Sequence, residues 1–369
     1  MKVNQVIARY GITPARINPI EQGSTNKSLV IESASGTFFL RYYTKPQESL
    51  WNRIICTKET VQYEHDVLRY AFENEIPCVP PMENRAGETI TELDGNLYAL
   101  FPYIETQPYR PARPVMGIRE AELLGRYHTV MENYPVRQQR PGWGYAGQLR
   151  AWFHENQVDI GTLDELLTWV DTLEPIDETH AYVRQNASCI HALIELLEDG
   201  FRQDLYRDCS VIVNHGDFIP RNIGAAENGL VLFDFDSCVR DLRIYDLAML
   251  LGYTAGEPHT GRNIDAQIAH NIVRSYRQVA PMTDEELGLT LYMLIAFRLR
   301  LFMGNLGILR TTSSYRMELI RRNLEGLCWL LEYRQAITEM LVGQGARSPA
   351  PRVRDTCDDY PRACPAAHS

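Results

Sequence analysis

The sequence predicts an α+β protein of two lobes, a small antiparallel sheet followed by a mostly helical region. Strand-like runs separated by turns occupy roughly the first hundred residues, and helical periodicity dominates afterwards. Within the helical part, residues 211–236 contain two short apolar runs that each end in polar residues. The chain has 369 residues and is 45% hydrophobic, which is enough to bury a sizeable core.

Composition and charge exclude several classes of protein. The formal net charge of −10 argues against a nucleic-acid partner, which would require a basic patch. It is compatible with a cationic substrate or with an ordinary soluble protein. The eight cysteines form no CxxC pair, so we expect neither a zinc site nor a disulfide framework. No signal peptide is evident and the most apolar run, Leu287–Phe297, is too short to span a bilayer, so we expect a cytoplasmic protein without a membrane partner. No pattern predicts an oligomeric state.

The first predicted strands flank a polar turn. Ile17–Glu21 and Ser28–Glu32 are strand-like, and Gln22–Lys27 between them consists of small and polar residues. A turn of this kind can present backbone N–H groups to a phosphate. An ordinary hairpin loop is the alternative interpretation.

The next strand carries a cation among aromatic residues. In the run from residue 37 to 43, period-two alternation places Arg41 on the same face as Phe39 and Tyr43. A cation in the middle of a strand must be solvated, paired or bound to an anion. Glu64, in the predicted helix Glu59–Phe72, is the natural partner, although a plain surface ion pair remains the alternative.

The lobe boundary follows a hairpin. Two strand-like runs surround Asp94–Asn96, a strong turn signal, and Pro102–Ile104 leaves the second run as a candidate hinge. We therefore assign residues 1–102 to an N-terminal lobe and 103–344 to a helical C-terminal lobe. Residues 345–369 lack periodicity and are predicted to be a disordered tail.

Two polar residues of the helical lobe have structural interpretations. His128 lies in the predicted helix Arg119–Tyr134 and is expected to be a packed core residue. Asp246 lies near the first turn of a predicted helix, where a carboxylate suits the helix dipole.

The two apolar runs of the central segment are predicted to be buried strands that deliver polar side chains. The first run, Val211–Val213, is followed by His215, Asp217 and Asn222, and the second, Leu230–Phe233, by Asp234 and Asp236. Because strands are stiff, side chains just beyond their ends are held in fixed geometry. Carboxylates and a carboxamide gathered in this way suit a general base and a hard divalent cation.

The spacing within this segment is that of a phosphotransferase loop. His215, Asp217 and Asn222 form the pattern H-x-D-x-x-x-x-N, the spacing found in the catalytic loop of protein kinases. In such chemistry a carboxylate orients the accepting hydroxyl and takes its proton. Carbonyl and carboxylate oxygens such as those of Asn222 and Asp234 are suitable ligands for a metal ion.

The motif HGDFxPxN, followed by Leu-Phe-Asp-Phe-Asp at residues 232–236, resembles the aminoglycoside phosphotransferase and choline kinase superfamily. The resemblance extends from about Ile17 to the last helix and implies a bilobal, protein-kinase-like fold. The His-Arg-Asp, Asp-Phe-Gly and Ala-Pro-Glu signatures of protein kinases do not occur here, so a protein kinase is the less favoured member of that fold.

The resemblance implies roles in the catalytic segment. Asp217 would be the general base, Asn222 and Asp234 the Mg²⁺ ligands, and His215 would brace the loop. Asp236 would either lie near the metal or stabilise the loop, and we favour the structural role.

The resemblance also implies a nucleotide site in the N-terminal lobe. Arg41 would contact the α- and β-phosphates of ATP, and Glu64 would orient Arg41. The remaining expected nucleotide contacts are Gly23, Ser24, Thr25 and Asn26 over the phosphates, and main chain at Phe101 and Tyr103 against adenine.

Arg41 departs from the pattern, because many relatives carry lysine in this strand. Arginine stays charged and can bind phosphate, but its planar fork imposes a different geometry. Lys45 shares the predicted strand face and is the alternative phosphate-binding cation.

These observations predict an ATP- and Mg²⁺-dependent kinase of a small-molecule hydroxyl, with GTP as the alternative donor. Candidate acceptors are an aminoglycoside-like antibiotic, an amino alcohol, homoserine or a sugar, with the acidic charge slightly favouring a cationic one. The alternative function is a non-catalytic binding or structural protein on the same fold, as in spore-coat relatives. Arg41 motivates that alternative, and the complete set of Asp217, Asn222 and Asp234 opposes it.

Overall fold

The computed structural model confirms the predicted α+β architecture of a small sheet lobe and a helical lobe. It describes residues 2–20, 27–43, 57–135, 140, 163–174, 177–257, 260–307 and 314–343. The predicted turn around Gly23, the position of Lys45 and the predicted tail lie outside these residues.

The N-terminal lobe is built on a five-stranded antiparallel sheet with the strand order β1-β2-β3-β5-β4. The short helix α1 (Val3–Ala8) precedes it. The strands are β1 (Pro14–Ile20), β2 (Lys27–Ser33), β3 (Gly36–Tyr43), β4 (Thr91–Leu93) and β5 (Asn96–Pro102). The predicted hairpin around Asp94–Asn96 is therefore confirmed as β4 and β5.

The two faces of β3 contribute to different cores, as the alternation predicted. Leu40 packs with α1 in a small cluster on the outer face. Tyr43 belongs to the large core, and Phe39 packs against it. Because residues two apart share a face, Arg41 also points to the inner side, between two aromatic residues.

Helix α2 (Lys58–Glu73) packs its apolar stripe into that large core. Thr57 begins the helix with a capping box: its side chain accepts a hydrogen bond from the Thr60 backbone N–H, and the Thr60 hydroxyl accepts one from the Thr57 backbone N–H. Glu64 is on the same side of α2 as the buried residues and is only 1% exposed. The helix therefore carries a carboxylate into the interior.

The C-terminal lobe is mainly helical. Its helices are α3 (Ile118–Met131), α4 (Leu163–Thr172), α5 (Glu178–Gln185), α6 (Ala187–Arg202), α7 (Ile244–Leu250), α8 (Ala266–Val279), α9 (Asp284–Gly288), α10 (Thr290–Gly307), α11 (Ser314–Glu332) and α12 (Arg334–Leu341). Helix α3 packs against α8, and α10 packs against α7 and α11. Among the described helices, none is long and apolar enough to cross a membrane.

Two small sheets hold the central segment. One pairs β7 (Val211–Asn214) with β10 (Val239–Leu242), and the other has the order β6-β8-β9, with β6 (Gln107–Pro108), β8 (Ile223–Ala226) and β9 (Gly229–Leu232). The two apolar runs recognised in the sequence thus lie in different sheets. Residues following α2 join β9 through a parallel bridge, with the Leu232 N–H donating to the Pro77 carbonyl at 2.7 Å.

Candidate active site

The loop after β7 brings Asp217 and Asn222 into direct contact. Asn222 closes a 3-10 turn, Pro220–Asn222, and its Nδ2 donates to both the carbonyl and the Oδ2 atom of Asp217, each at 2.8 Å. Arg221 donates to the same Oδ2 at 3.2 Å. The Asp217 side chain remains 20% exposed. The predicted base therefore has one oxygen fixed by two donors and is still accessible.

Asp246 anchors the start of this loop from the first turn of α7. Its two carboxylate oxygens accept the backbone N–H groups of His215 at 2.6 Å and Gly216 at 2.9 Å. His128 lies 3.2 Å from the same carboxylate through Nε2 and 2.6 Å from the Tyr276 hydroxyl through Nδ1. Burial lowers the pKa of His128 although Asp246 opposes the shift, so the ring is neutral and its Nε2–H donates to Asp246.

His215 braces the loop against the strand that leads to Asp234, as the resemblance implied. Its Nε2 donates to the Phe233 carbonyl at 2.9 Å, and its Nδ1 accepts the Asp217 backbone N–H at 3.3 Å. The imidazole is fully buried and packs edge to face on Phe235, with the ring centroids 4.6 Å apart. One histidine thus links the two segments that carry the predicted base and a predicted metal ligand.

Gly216 is required where these segments meet. Its φ of +82° lies in the left-handed region, and a Cβ atom built there would be 2.0 Å from the Ser237 carbonyl oxygen. Any side chain would therefore force apart the two backbones.

Asp234 follows β9 with a left-handed backbone, φ +64° and ψ +64°, which aspartate adopts more readily than most residues. The 3-10 turn Phe235–Ser237 comes next. Arg140, only 4% exposed, donates to the Cys238 carbonyl at 2.7 Å and also to the Asp236 carbonyl. A buried guanidinium therefore fixes the turn behind Asp234.

Arg41 bridges the two lobes by pairing with two carboxylates. Its NH1 lies 3.2 Å from Glu64 Oε1, and its NH2 lies 3.0 Å from Asp234 Oδ1. Burial acts to lower the pKa of Arg41, but Asp234 and Glu64 outweigh it and raise that pKa, so the guanidinium is permanently charged. The predicted pairing with Glu64 is confirmed, and the link to Asp234 is an addition that the sequence did not predict.

A buried polar chain supports Glu64 from behind. The Tyr43 hydroxyl lies 3.5 Å from Glu64 Oε1 and 3.1 Å from His65 Nε2, and His65 Nδ1 lies 2.8 Å from the Thr89 hydroxyl. Burial, reinforced by the charge of Arg41, lowers the pKa of His65 to about 3. The ring is therefore neutral, and Arg41 remains the local cation.

Asp236 is buried beside the site, 8% exposed, with Ser237 Oγ 3.2 Å from its carboxylate. Burial and then the neighbouring charge of Asp234 raise its pKa well above the usual value. This placement agrees better with the loop-stabilising role that we favoured than with metal ligation.

A cleft of about 430 Å³ lies between the lobes, and Arg41, Asn222 and Asp234 are among the residues that line it. Its lining is Ile20, Phe39, Arg41, Glu64, Leu68, Val79, Phe101, Pro102, Tyr103, Ile104, Thr106, Arg221, Asn222, Leu232, Phe233, Asp234 and Phe235. The lining contains apolar and aromatic residues together with charged ones, and the guanidinium of Arg41 lies 6.0 Å from the ring of Phe101. A ligand with a flat apolar group and a charged group would match this mixed lining.

The donor set of the cleft fits a hard divalent cation. The Asp234 carboxylate is 35% exposed. The side-chain Nδ2 of Asn222 is hydrogen-bonded to Asp217, and its side-chain Oδ1 is the atom that could bind a metal ion. Mg²⁺ is commonly held by one or two carboxylates together with phosphate oxygens and water. Among the described residues no cluster of three or more His, Cys, Asp or Glu side chains could hold a metal ion.

The structure brings together Asp217, Asn222, Asp234, Arg41 and Glu64 from the predicted set, with Phe101 and Tyr103 on the cleft wall. Gly23, Ser24, Thr25 and Asn26 lie outside the described residues and stay a prediction.

Sequence reasoning missed the contributions of Asp246, Arg140 and Arg221. Arg221 had a signal, because it is a cation inside the H-x-D-x-x-x-x-N motif itself.

Comparison with known proteins identifies the family of this chain. The profile of the phosphotransferase enzyme family, APH, matches residues 16–282. A homoserine kinase of Rhodopseudomonas palustris strain BisB18 is 25% identical over 275 residues, 72% of this chain and 71% of that protein. Homoserine kinases of Phenylobacterium zucineum and Chelativorans are each 23% identical, over 79% and 88% of this chain and 80% and 90% of their own length.

Solved structures share the fold at low sequence identity. An aminoglycoside phosphotransferase of Alicyclobacillus acidocaldarius superposes with a TM-score of 0.64 at 14% identity, covering 92% of this chain and 95% of that one. An amicoumacin kinase in complex with AMP-PNP, Ca²⁺ and Ami gives a TM-score of 0.60 at 16% identity, covering 89% of this chain and 92% of that one. The non-catalytic alternative finds no support among these proteins. The chain belongs to the phosphotransferase enzyme family and is a small-molecule kinase that acts on a hydroxyl group.

Proposed function

We propose that this protein transfers the γ-phosphoryl group of ATP, with Mg²⁺, to the hydroxyl of a small amino acid or amino alcohol, and that homoserine is the first acceptor to test. The observation that supports the reaction most directly is that Asn222, Asp234 and Arg41 line one cleft and that Asn222 is hydrogen-bonded to Asp217. The cytoplasm remains the expected compartment.

The N-terminal lobe, residues 1–102, would bind the nucleotide. Phe101 and Tyr103 on the cleft wall are suited to adenine, and the same cleft contains Arg41. Arg41 would bind phosphate oxygens while Glu64 keeps its guanidinium in place. Gly23, Ser24, Thr25 and Asn26 would cover the phosphates through backbone N–H groups.

Residues 103–344 would supply the metal ligands and the base. Asn222 and Asp234 would hold Mg²⁺, which neutralises charge on the phosphates when it is bound. Asp217 would orient the acceptor hydroxyl and take its proton. Because both described side-chain donors bond to Oδ2 of Asp217, Oδ1 is the oxygen available for that proton.

The acceptor class is proposed from the relatives. The curated relatives named above are homoserine kinases, and homoserine carries the primary hydroxyl and the ammonium group that a cationic acceptor would have. Amino alcohols carry both groups as well. A microcompartment-associated aminopropanol kinase superposes on 92% of this chain with a TM-score of 0.61.

ADP release from Mg·ATP tests the reaction with homoserine, aminopropanol, ethanolamine, choline, a sugar and an aminoglycoside. We expect turnover with an acceptor that carries both a hydroxyl and an amino group. Turnover with only the sugar would contradict the acceptor class, and no turnover with any hydroxyl compound would contradict the proposed reaction.

Asp217→Asn tests the base. We expect kcat to fall by about 10²–10⁴-fold, because the variant cannot accept the proton, while the affinity for Mg·ATP is kept. Asp171→Asn, at an exposed carboxylate distant in sequence from the loop, is the matched control and should keep full activity. Near-normal turnover by Asp217→Asn would overturn the assignment.

A further inference from the structure

The cleft contains two arginines with opposite environments. Arg41 is 14% exposed and is held by two carboxylates. The Arg221 side chain is 69% exposed, yet it lines the same cleft and donates one hydrogen bond, 3.2 Å long, to Asp217. The first arginine is fixed within the fold, and the second has freedom to change partner.

Arg221 contacts the proposed base and is the sequence neighbour of a proposed metal ligand, Asn222. Its backbone belongs to the same 3-10 turn as Asn222, and its guanidinium contacts Asp217. Arg221 and Asp234 line the same cleft, so a phosphoryl group transferred there would pass close to the guanidinium.

The chemistry of the step calls for a cation at this position. The acceptor oxygen forms a bond to the γ-phosphorus, and the bond from that phosphorus to the bridging oxygen breaks with its electron pair leaving on ADP. The hydroxyl proton passes to Asp217 Oδ1. As Asp217 becomes neutral, its attraction for Arg221 weakens, and the guanidinium fork can donate to the oxygens of the phosphoryl group.

We infer that Arg221 is a catalytic residue that binds the phosphoryl group during transfer, an inference that rests on the proposed function. Arg41 would hold the nucleotide before the reaction, and Arg221 would stabilise charge that is exposed only as the bond breaks. Interactions made more strongly in the transition state raise kcat without lowering KM.

Arg221→Ala and Arg221→Lys test this inference against the acceptor that the wild type uses best. We expect kcat of the alanine variant to fall by about 10²–10³-fold with little change in KM for ATP, and the lysine variant to recover part of the loss. Arg207→Ala is the matched control, because Arg207 is an equally exposed arginine, 72%, paired with an aspartate at short range, Asp204. It should keep wild-type kinetics.

A binding measurement separates catalysis from positioning of Asp217. Aluminium fluoride bound with Mg·ADP mimics the flat phosphoryl group, so with acceptor present it should raise the Tm of the wild type more than Mg·ADP alone does. Arg221→Ala should lose this additional rise and keep the rise caused by Mg·ADP.

Wild-type kcat in Arg221→Ala would overturn the inference. A slow Arg221→Ala variant that keeps the additional rise in Tm would also overturn it, because that result would show that Arg221 only positions Asp217. A wild type without phosphoryl transfer to any acceptor would instead contradict the proposed function.

Discussion

The loop that contains Asp217 and the loop that contains Asp234 both follow a short strand and include a 3-10 turn, but they are anchored differently. Asp246 holds the first loop by hydrogen bonds to its backbone, entirely within the C-terminal lobe. Two guanidinium groups hold the second, Arg140 through backbone carbonyls and Arg41 through the carboxylate of Asp234. The position of the base therefore depends on local folding, whereas the position of the metal ligand depends on how the lobes meet.

The largest effect is expected from removing the anchor of the first loop. Asp246→Ala leaves the buried N–H of His215, the partly buried N–H of Gly216 and the His128 ring without their acceptor, so stability should fall by about 3–5 kcal/mol. Displacement of Asp217 should lower kcat by about 10²-fold as well. Thermal unfolding and steady-state kinetics measure both effects.

Asp246→Asn, which keeps one acceptor oxygen, should give intermediate values. Asp284→Ala removes an exposed partner of Arg277 and should change stability by at most about 1 kcal/mol. Equal stability of Asp246→Ala and Asp284→Ala would show that the first loop does not depend on this anchor.

A second, smaller effect should follow from removing the charge that links the lobes. Arg41→Met leaves Glu64 and Asp234 without their shared cation, and we expect metal-nucleotide affinity to fall by about 10–100-fold. Arg69→Met, which breaks an exposed pair with Glu83 in the same lobe, is the matched control for titration calorimetry.

The double variant Arg41→Met/Glu64→Gln separates binding from folding. Removing the buried unpaired charge should restore stability, but it cannot restore the phosphate-binding cation, so affinity should stay low. Recovery of both properties would show that Arg41 acts only on the fold.

The smallest effect concerns pH. His65 binds its proton more weakly in the folded protein, where its pKa is about 3, than in the unfolded chain, where it is near 6.5. The folded state therefore loses stability as pH falls from about 6.5 towards 3, by about 1.4 kcal/mol per pH unit and about 2 kcal/mol by pH 5.

Comparison with His65→Gln isolates this contribution, because Glu64 and Asp236, with raised pKa values, act in the opposite direction in both proteins. Urea unfolding at pH 7 and pH 5 should show a smaller loss for His65→Gln than for the wild type. His191→Gln, at an exposed ring beside Asp171, should lose stability in parallel with the wild type. Equal pH slopes in all three proteins would contradict the expected role of burial at His65.

Local patterns predicted much of the fold. The alternation in β3 placed Leu40 and Arg41 on opposite faces, and the structure confirms this. The spacing from His215 to Asn222 predicted which side chains would meet, because neighbours in a tight loop have little freedom to separate.

Long-range partners could not be predicted in the same way. Asp246 was interpreted as a helix-dipole residue and does lie in the first turn of α7, but its bonds to the loop and to His128, 118 residues away, follow no periodicity. Arg140 similarly reaches the turn after Asp234 from a distant segment. Such contacts arise from packing of the whole chain, which a one-dimensional pattern does not encode.

The backbone contact at Gly216 affects how this kinase can be redesigned. Because the two loops touch main chain to main chain with no room for a Cβ atom, neither can be exchanged without its neighbour. An engineer who wishes to graft a new acceptor preference should therefore treat residues 211–222 and 234–242 as one cassette and confine sequence diversity to the surrounding helices.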